Sequence, residues 1–428
     1  MDKFDVIVVG GGLAGLSAAY ILAKEGTAVL VLERGDYSGA KNVTGGRIYL
    51  NPIRNLLPDI WDEAPLERHI SQEKITMMTE NTSVTIKLDS DKFRQKPHHS
   101  FTVLRAKFDR WLAEKVEAAG GMVVTKTRVD NLIVEKGTVK GIIAGEDSIE
   151  ADVVVAADGV ISLMAEKAGL KKPPVARDFA VGIKEIIELP EETIENRFNL
   201  QNGEGAAQLF MGSITKGIFG GGFLYTNRNS LSLGLVVGIK DLAERQPPIE
   251  LPQLIEEFKQ HPEIKALISG GETVEYTAHV IPEGGYSAIS PLFSDGILVT
   301  GDAAGLALNT GITVRGMEFA IASGVLAAEA IKYARTKNDF TKISLAKYEE
   351  LLRNSFVLHD LKTFRHAPHF LSNPRLFTQY PEAVCNMMEK MMYIGDSPKQ
   401  KLSSTAFKEI RNKLGLGVLK DVMGVFRL

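Results

Sequence analysis

Residues 8–20 read VVGGGLAGLSAAY, with glycines at 10, 12 and 15. The β-branched run that leads into them, FDVIVVG, reads as a buried parallel strand. LAGLSAAYILAKEG has helical spacing and ends at Gly26, and TAVLVLERG is a second strand. This is a complete βαβ unit in 35 residues. In such a unit Gly10 allows the tight turn, Gly12 lets a pyrophosphate approach the backbone, and Gly15 lets the helix pack on the strand. The helix N-terminus offers free N–H groups and the positive end of its dipole to phosphate. Glu33, at the end of the second strand, is placed to accept both hydroxyls of an adenosine ribose, and a carboxylate there disfavours a 2′-phosphate. The expectation is a dinucleotide site that takes no NADP.

A second stretch bears on which dinucleotide. Residues 296–316 read GILVTGDAAGLALNTGITVRG, an apolar strand, then Gly301–Asp302, then a run of mostly small residues. An extended FAD needs its ribityl chain held by something distant in sequence. Asp302 at a strand end can accept from a ribityl hydroxyl while Gly301 lets the chain pass close. A helix expected over 314–334 would aim its N-terminal amides at the flavin edge. The alternative for Asp302 is a helix N-cap. Asp158 and Gly159, in VVVAADGV, close another strand, either near the pyrophosphate or as an ordinary turn. Arg105, in VLRAKFDRWL, stands at a strand-to-helix junction, where it meets a phosphate or carboxylate or is a surface arginine. No second GxGxxG follows a strand; GIFGGGF lies in an alternating, antiparallel pattern, so no separate NAD(P)H domain is expected.

The chain has 428 residues and a net charge of −3, which gives no case for nucleic acid. The charge is uneven: residues 399–428 hold seven Lys/Arg and two Asp/Glu, a local +5 that leaves −8 elsewhere. Such a tail is a protein or membrane contact or a solvated helix. Cys385 is the single cysteine, so the chain can form no internal disulfide and no cysteine-ligated cluster. His359, His366 and His369 lack a suitably spaced acidic co-ligand, and no metal site is expected. Residues 6–23 are uncharged, but four glycines in their first ten positions fit a turn better than a membrane span. A reducing cytosolic compartment and no signal peptide are expected.

Residues 175–285 alternate polar and apolar, with a hairpin turning at 227–229. The expected organisation is an FAD-binding domain from 1–50, 100–175 and 286–340, an inserted substrate domain from 51–99 and 176–285, and a helical region over 341–428. The segment HFLSNPRLFTQYPEAVCNMMEKMMYIG joins aromatic residues and methionines to the basic tail, as a lipid boundary would; a core helix or a subunit interface is the alternative.

These stretches resemble the electron transfer flavoprotein–quinone oxidoreductase family, in its short FixC-type branch. The residues that carry the likeness are VVGGGLAGLSAAYILAKEG, GAKNVTGGRIY, VLRAKFDRWLA, VVVAADGV, HVIPEGGYS and GDAAGLALNTGITVRGMEFAIASG, spread over most of the chain. The resemblance implies an α/β fold with a Rossmann-type, glutathione-reductase-like FAD domain and an antiparallel substrate domain. It implies electrons from an electron transfer flavoprotein and delivery to a membrane quinone, at the cytoplasmic face of the cell membrane. With one cysteine, the cluster of the longer members would sit on a separate ferredoxin-like subunit. Gly10, Gly12, Ala14, Gly15, Glu33 and Arg34 would hold the ADP half. Asn42, Gly45 and Gly46 would line the flavin, with Asn309, Thr310, Gly311 and Thr313 beside it and Asp302 on the ribityl. Gly284, Gly285 and Tyr286 would form the quinone site, against the alternative of a tight turn. A geranylgeranyl-type prenyl reductase shares most of these motifs, and a non-catalytic flavin subunit is a further alternative.

Overall fold

The computed structural model describes residues 3–41, 45–171, 174–414 and 417–425. Its centre is a parallel sheet built on Lys3–Val9, whose Val6, Ile7 and Val8 are fully buried. Val29–Leu32 and Asp147–Ala156 flank it in parallel, Val6 standing opposite both Val29 and Val153. Met122–Val124 and Ile297–Val299 extend the sheet on either side. A strand apolar on both faces is stable only when covered twice. Here the helices Leu13–Lys24, Arg105–Ala118 and Met317–Lys337 supply one cover, and the hairpin Asn131–Glu135 and Thr138–Ala144 branches from the start of Asp147–Ala156.

A second sheet of nine strands, mostly antiparallel, stands against the first. Its spine runs Glu272–Pro282, Phe179–Glu188, Ser230–Gly238, Gly220–Thr226, Glu204–Gly212 and Leu66–Met78. The hairpin turns at 227–229, where the Asn227 N–H donates to the Ser230 carbonyl at 2.8 Å. Successive side chains take opposite faces. Ile183 and Ile187 enter a core with Phe198, Leu233 and Phe258, while Gly182 and Lys184 face an open cavity. Gly46–Tyr49 and Ser100–Val103 hydrogen-bond at the far edge of this second sheet, although the sequence reading grouped their residues with the first. Arg68, fully buried, holds the edge together: its guanidinium donates to the carbonyls of Asn227 and Glu204 and pairs with Glu195 at 3.0 Å.

The helix expected over 314–334 starts later. Val314–Arg315 pairs with Leu308–Asn309 as a small hairpin, and the helix runs Met317–Lys337 from Gly316. Short helices then follow one another to residue 425. None of the described helices is long and apolar enough to cross a membrane.

Candidate active site

One cavity of about 820 Å³ opens between the two sheets. At one end lies the fingerprint turn. Gly10 has φ +107°, and a Cβ there would stand 2.3 Å from the Ala157 carbonyl oxygen. A Cβ at Gly15 would stand 2.1 Å from the Gly10 oxygen and 2.9 Å from Val8, so Gly15 sets the helix onto the strand. No side chain caps Gly12, the first turn carries no acid, and Gly12, Leu13 and Ala14 line the cavity. That leaves the helix amides to an anion. Glu33 is held by two backbone donors, Gly11 N–H at 2.9 Å and Gly35 N–H at 2.6 Å. Arg34 lines the same end. Asp158 and Gly159 close it; Asp158 Oδ2 accepts from Met164 N–H at 3.0 Å, and Oδ1 is buried without a hydrogen-bond partner among the described residues. An unpartnered buried acceptor beside open amides fits a group that brings its own donors.

The middle of the cavity is charged. Arg105 makes two bonds to the buried Asp109, at 2.7 and 2.8 Å, and lines the wall with Asp302 and Lys184. Burial pushes the Asp302 carboxyl up, against the pull of Arg105 and Lys184. Burial, then Arg105, brings the Lys184 ammonium down to about 8. The Asp302 side chain makes no hydrogen bond among the described residues, so its oxygens are available to a hydroxyl-rich chain. Gly301 does not line the cavity. With φ +65°, it lies where a Cβ would be 2.7 Å from the Ala14 Cβ, which lets the turn close on the fingerprint helix. Gly316, Met317 and Ala320 present the start of the long helix to the cavity.

Gly45, Gly46, Asn309 and Gly311 also line it. Asn42 lies outside the described residues. Thr310 and Thr313 are not in the cavity lining; their hydroxyls lie 2.8 Å apart and close the turn of the small hairpin. The expected quinone triad also needs correction. Gly284, Gly285 and Tyr286 do not line the cavity: Gly285–Ala288 is a tight turn with Gly285 at φ +59°, where a Cβ would meet Pro368 at 2.8 Å. Tyr286 packs on the core of the first sheet. The sequence reading missed Lys184, His279 and Glu283. His279, Ile281 and Glu283 face the cavity at alternate positions of TAHVIPEGG, a period-two signal that shows polar residues on an inner face.

The far arm of the cavity is apolar. Met211, Phe219, Val236, Leu371 and Phe377 line it with Gly220, Gly221 and Gly222, and Phe219 meets Phe377 edge to face.

Three family models match the chain: an FAD binding domain over 3–189, an ETF-QO ubiquinone-binding domain over 179–281, and an ETF-QO/FixC family C-terminal domain over 367–428. Protein FixC of Escherichia coli (strain K12) is 46% identical over 422 residues, covering 99% of this chain and 98% of that one. The chain belongs to the ETF-QO/FixC family. Protein FixC of Azorhizobium caulinodans is 40% identical, with 97% of each chain covered. As a member of the family, the protein is an FAD-dependent oxidoreductase. Among solved structures, a geranylgeranyl bacteriochlorophyll reductase-like protein from Thermoplasma acidophilum superposes with a TM-score of 0.74 over 98% of each chain. At 23% identity that likeness is one of fold. The lining of this cavity fits FAD: the Gly10–Gly15 turn and Glu33 would hold its ADP half, and Arg105, Lys184 and Asp302 would face its polyol and ring.

Proposed function

We propose that the protein accepts electrons from an electron transfer flavoprotein and reduces a membrane quinone. One observation carries this reading: a single cavity joins the dinucleotide fingerprint to an apolar arm on the sheet that matches the ubiquinone-binding model. Bound FAD supplies the ability to take electrons singly and release them in pairs. The chain's residues do the rest. Glu33 and the open helix amides fix the ADP half. Asp302 orients the polyol. Gly220–Gly222 present bare backbone to a headgroup, and Phe219, Phe377, Leu371 and Met211 exclude water from it. This arm replaces Gly284–Tyr286 as the proposed acceptor site.

The donor path goes through a separate ferredoxin-like subunit. Cys385, fully buried with its thiol on the Met77 carbonyl at 3.5 Å, is the only thiol and is turned away from the surface, which supports a cluster held elsewhere. Attachment is peripheral, at the cytoplasmic face; exposed Met392, Tyr393, Ile394 and Phe407 beside Lys399, Lys401 and Lys408 support the membrane contact. The test is reconstitution: FAD-loaded protein, reduced electron transfer flavoprotein, the ferredoxin-like subunit and quinone-containing vesicles. Quinol formation dependent on every component is expected, and no quinol in the complete mixture rejects the reading.

A further inference from the structure

Resting on that reading, we propose that Glu283 is the proton donor to the acceptor held in the apolar arm. Converting a quinone to a quinol takes two electrons and two protons. The electrons come from the reduced flavoprotein donor, but an arm walled by Phe219, Phe377 and Leu371 offers no proton of its own.

Glu283 is the acid placed to supply it. It is largely buried just after the strand Glu272–Pro282, alternates with Ile281 and His279 on one face, and lines the same cavity as Leu371 and Phe377. Its carboxyl is aimed by Asn309, whose Nδ2 donates to Glu283 Oε2 at 3.2 Å. Asn309 is itself locked, because its Oδ1 accepts the Gly311 N–H at 2.8 Å. Among the described residues, Asn309 engages only one Glu283 oxygen, which leaves the other to carry an O–H. No charged side chain acts on the carboxyl. Burial alone, opposed by the Asn309 bond, raises it to about 7, so both protonation states are populated near neutrality.

The surrounding titratable groups leave it so. On its own strand, burial holds His279 neutral, down to about 4. From the preceding turn, Asp178 accepts the Glu283 N–H through its carbonyl, and its carboxylate is paired with Arg177 at 3.7 Å. On the helix Ala367–Leu371, which packs on this corner, His369 is exposed. The small hairpin brings the neutral Asn309, Thr310 and Thr313, and its one charged side chain, Arg315, is paired with Glu318 at 2.7 Å and Asp360 at 2.6 Å.

The step balances. As electrons reach the quinone, the Glu283 O–H breaks and a new O–H forms on a quinone oxygen. The carboxylate regains a proton from water at the hairpin tip, where Gly311 and Ile312 are exposed, and the cycle repeats for the second oxygen.

The experiment uses FAD-loaded protein reduced with dithionite and mixed rapidly with a short-tailed benzoquinone or with ferricyanide, which takes one electron and no proton. Glu283→Gln should slow quinone reduction at least ~10-fold more than ferricyanide reduction and remove the rate change near pH 7; Glu283→Asp should recover part of the rate. Infrared spectroscopy of the FAD-free protein gives an independent reading: a protonated-carboxyl band that disappears near pH 7 and is missing in Glu283→Gln. Equal slowing with both acceptors, or a wild-type rate and pH profile in the variant, overturns the proposal. If the variant does not load FAD, the wild-type band decides, and its absence overturns the proposal. A wild-type protein that reduces ferricyanide but no quinone overturns the quinone reading, and this donor with it.

Discussion

A Cβ atom at Gly324 would stand 2.1 Å from the carbonyl oxygen of Ala14. The two longest-separated parts of the FAD cradle therefore meet backbone to backbone, helix Met317–Lys337 on helix Leu13–Lys24. Gly324→Ala should cost about 1–3 kcal/mol, as overpacking does, and should weaken FAD retention because Ala14 lines the cavity. Thermal unfolding with and without FAD checks this; an unchanged midpoint would show that the helices separate at no cost.

Glu33→Ala should lower FAD affinity roughly 10- to 100-fold, from lost charged hydrogen bonds to the ribose. The variant also strands the Gly11 and Gly35 N–H groups that the carboxylate now receives. Quenching of flavin fluorescence on titration measures the loss. Wild-type affinity in the variant would remove Glu33 from the site.

Stability should fall in mild acid. His69 and His98 stack with centroids 3.8 Å apart, and burial lowers both; burial, then Arg47, brings His99 to about 4. In the unfolded chain these rings take up protons below about 6.5, and in the fold each does so at lower pH, His99 only near 4. The unfolded state therefore binds more protons across the window from about 6.5 down to 4, and stability is lost as pH falls through it. Denaturant titrations at about pH 7.5 and 5.5 should show the drop, and His99→Gln should reduce it. An equal drop in the variant would place the cause elsewhere.

Phe219→Ala should raise the KM for quinone while FAD content stays as in wild type, because Phe219 lines the apolar arm and packs on Phe377. Steady-state kinetics with short- and long-tailed quinones separate headgroup from tail contacts. An unchanged KM for both would move the acceptor out of this arm.

The basic, apolar C-terminal surface should bind anionic vesicles. Ile394→Glu with Phe407→Glu, at side chains 74% and 66% exposed, should abolish flotation without loss of fold. A wild-type chain that never floats would sink the idea.

The fingerprint end of the site was readable in sequence because its demands are local. A strand, a tight turn and a helix start fix where Gly10, Gly12, Ala14 and Glu33 go. Asp302 was readable because a lone carboxylate among small residues needs a reason. The acceptor end was not. Gly285 satisfies a turn with positive φ as well as it would a ligand, and only the packing of Pro368 against that turn decides between them. Phe219 and Phe377 come from segments far apart in the chain, with no periodic pattern in common. Thr310 and Thr313 bond each other, a pairing that depends on the hairpin register.

The interleaving of the two sheets also sets an order for synthesis. Lys3–Val9 is translated early, but its neighbour Asp147–Ala156 comes much later, and Ile297–Val299, which completes that side, later still. Most of the second sheet is made in between. A ribosome-bound chain therefore carries the phosphate-binding turn long before it has Asp302 or the helix that packs on Ala14. Cofactor capture belongs to the last part of translation, when residues 301–337 have cleared the exit tunnel and the cleft has its second wall.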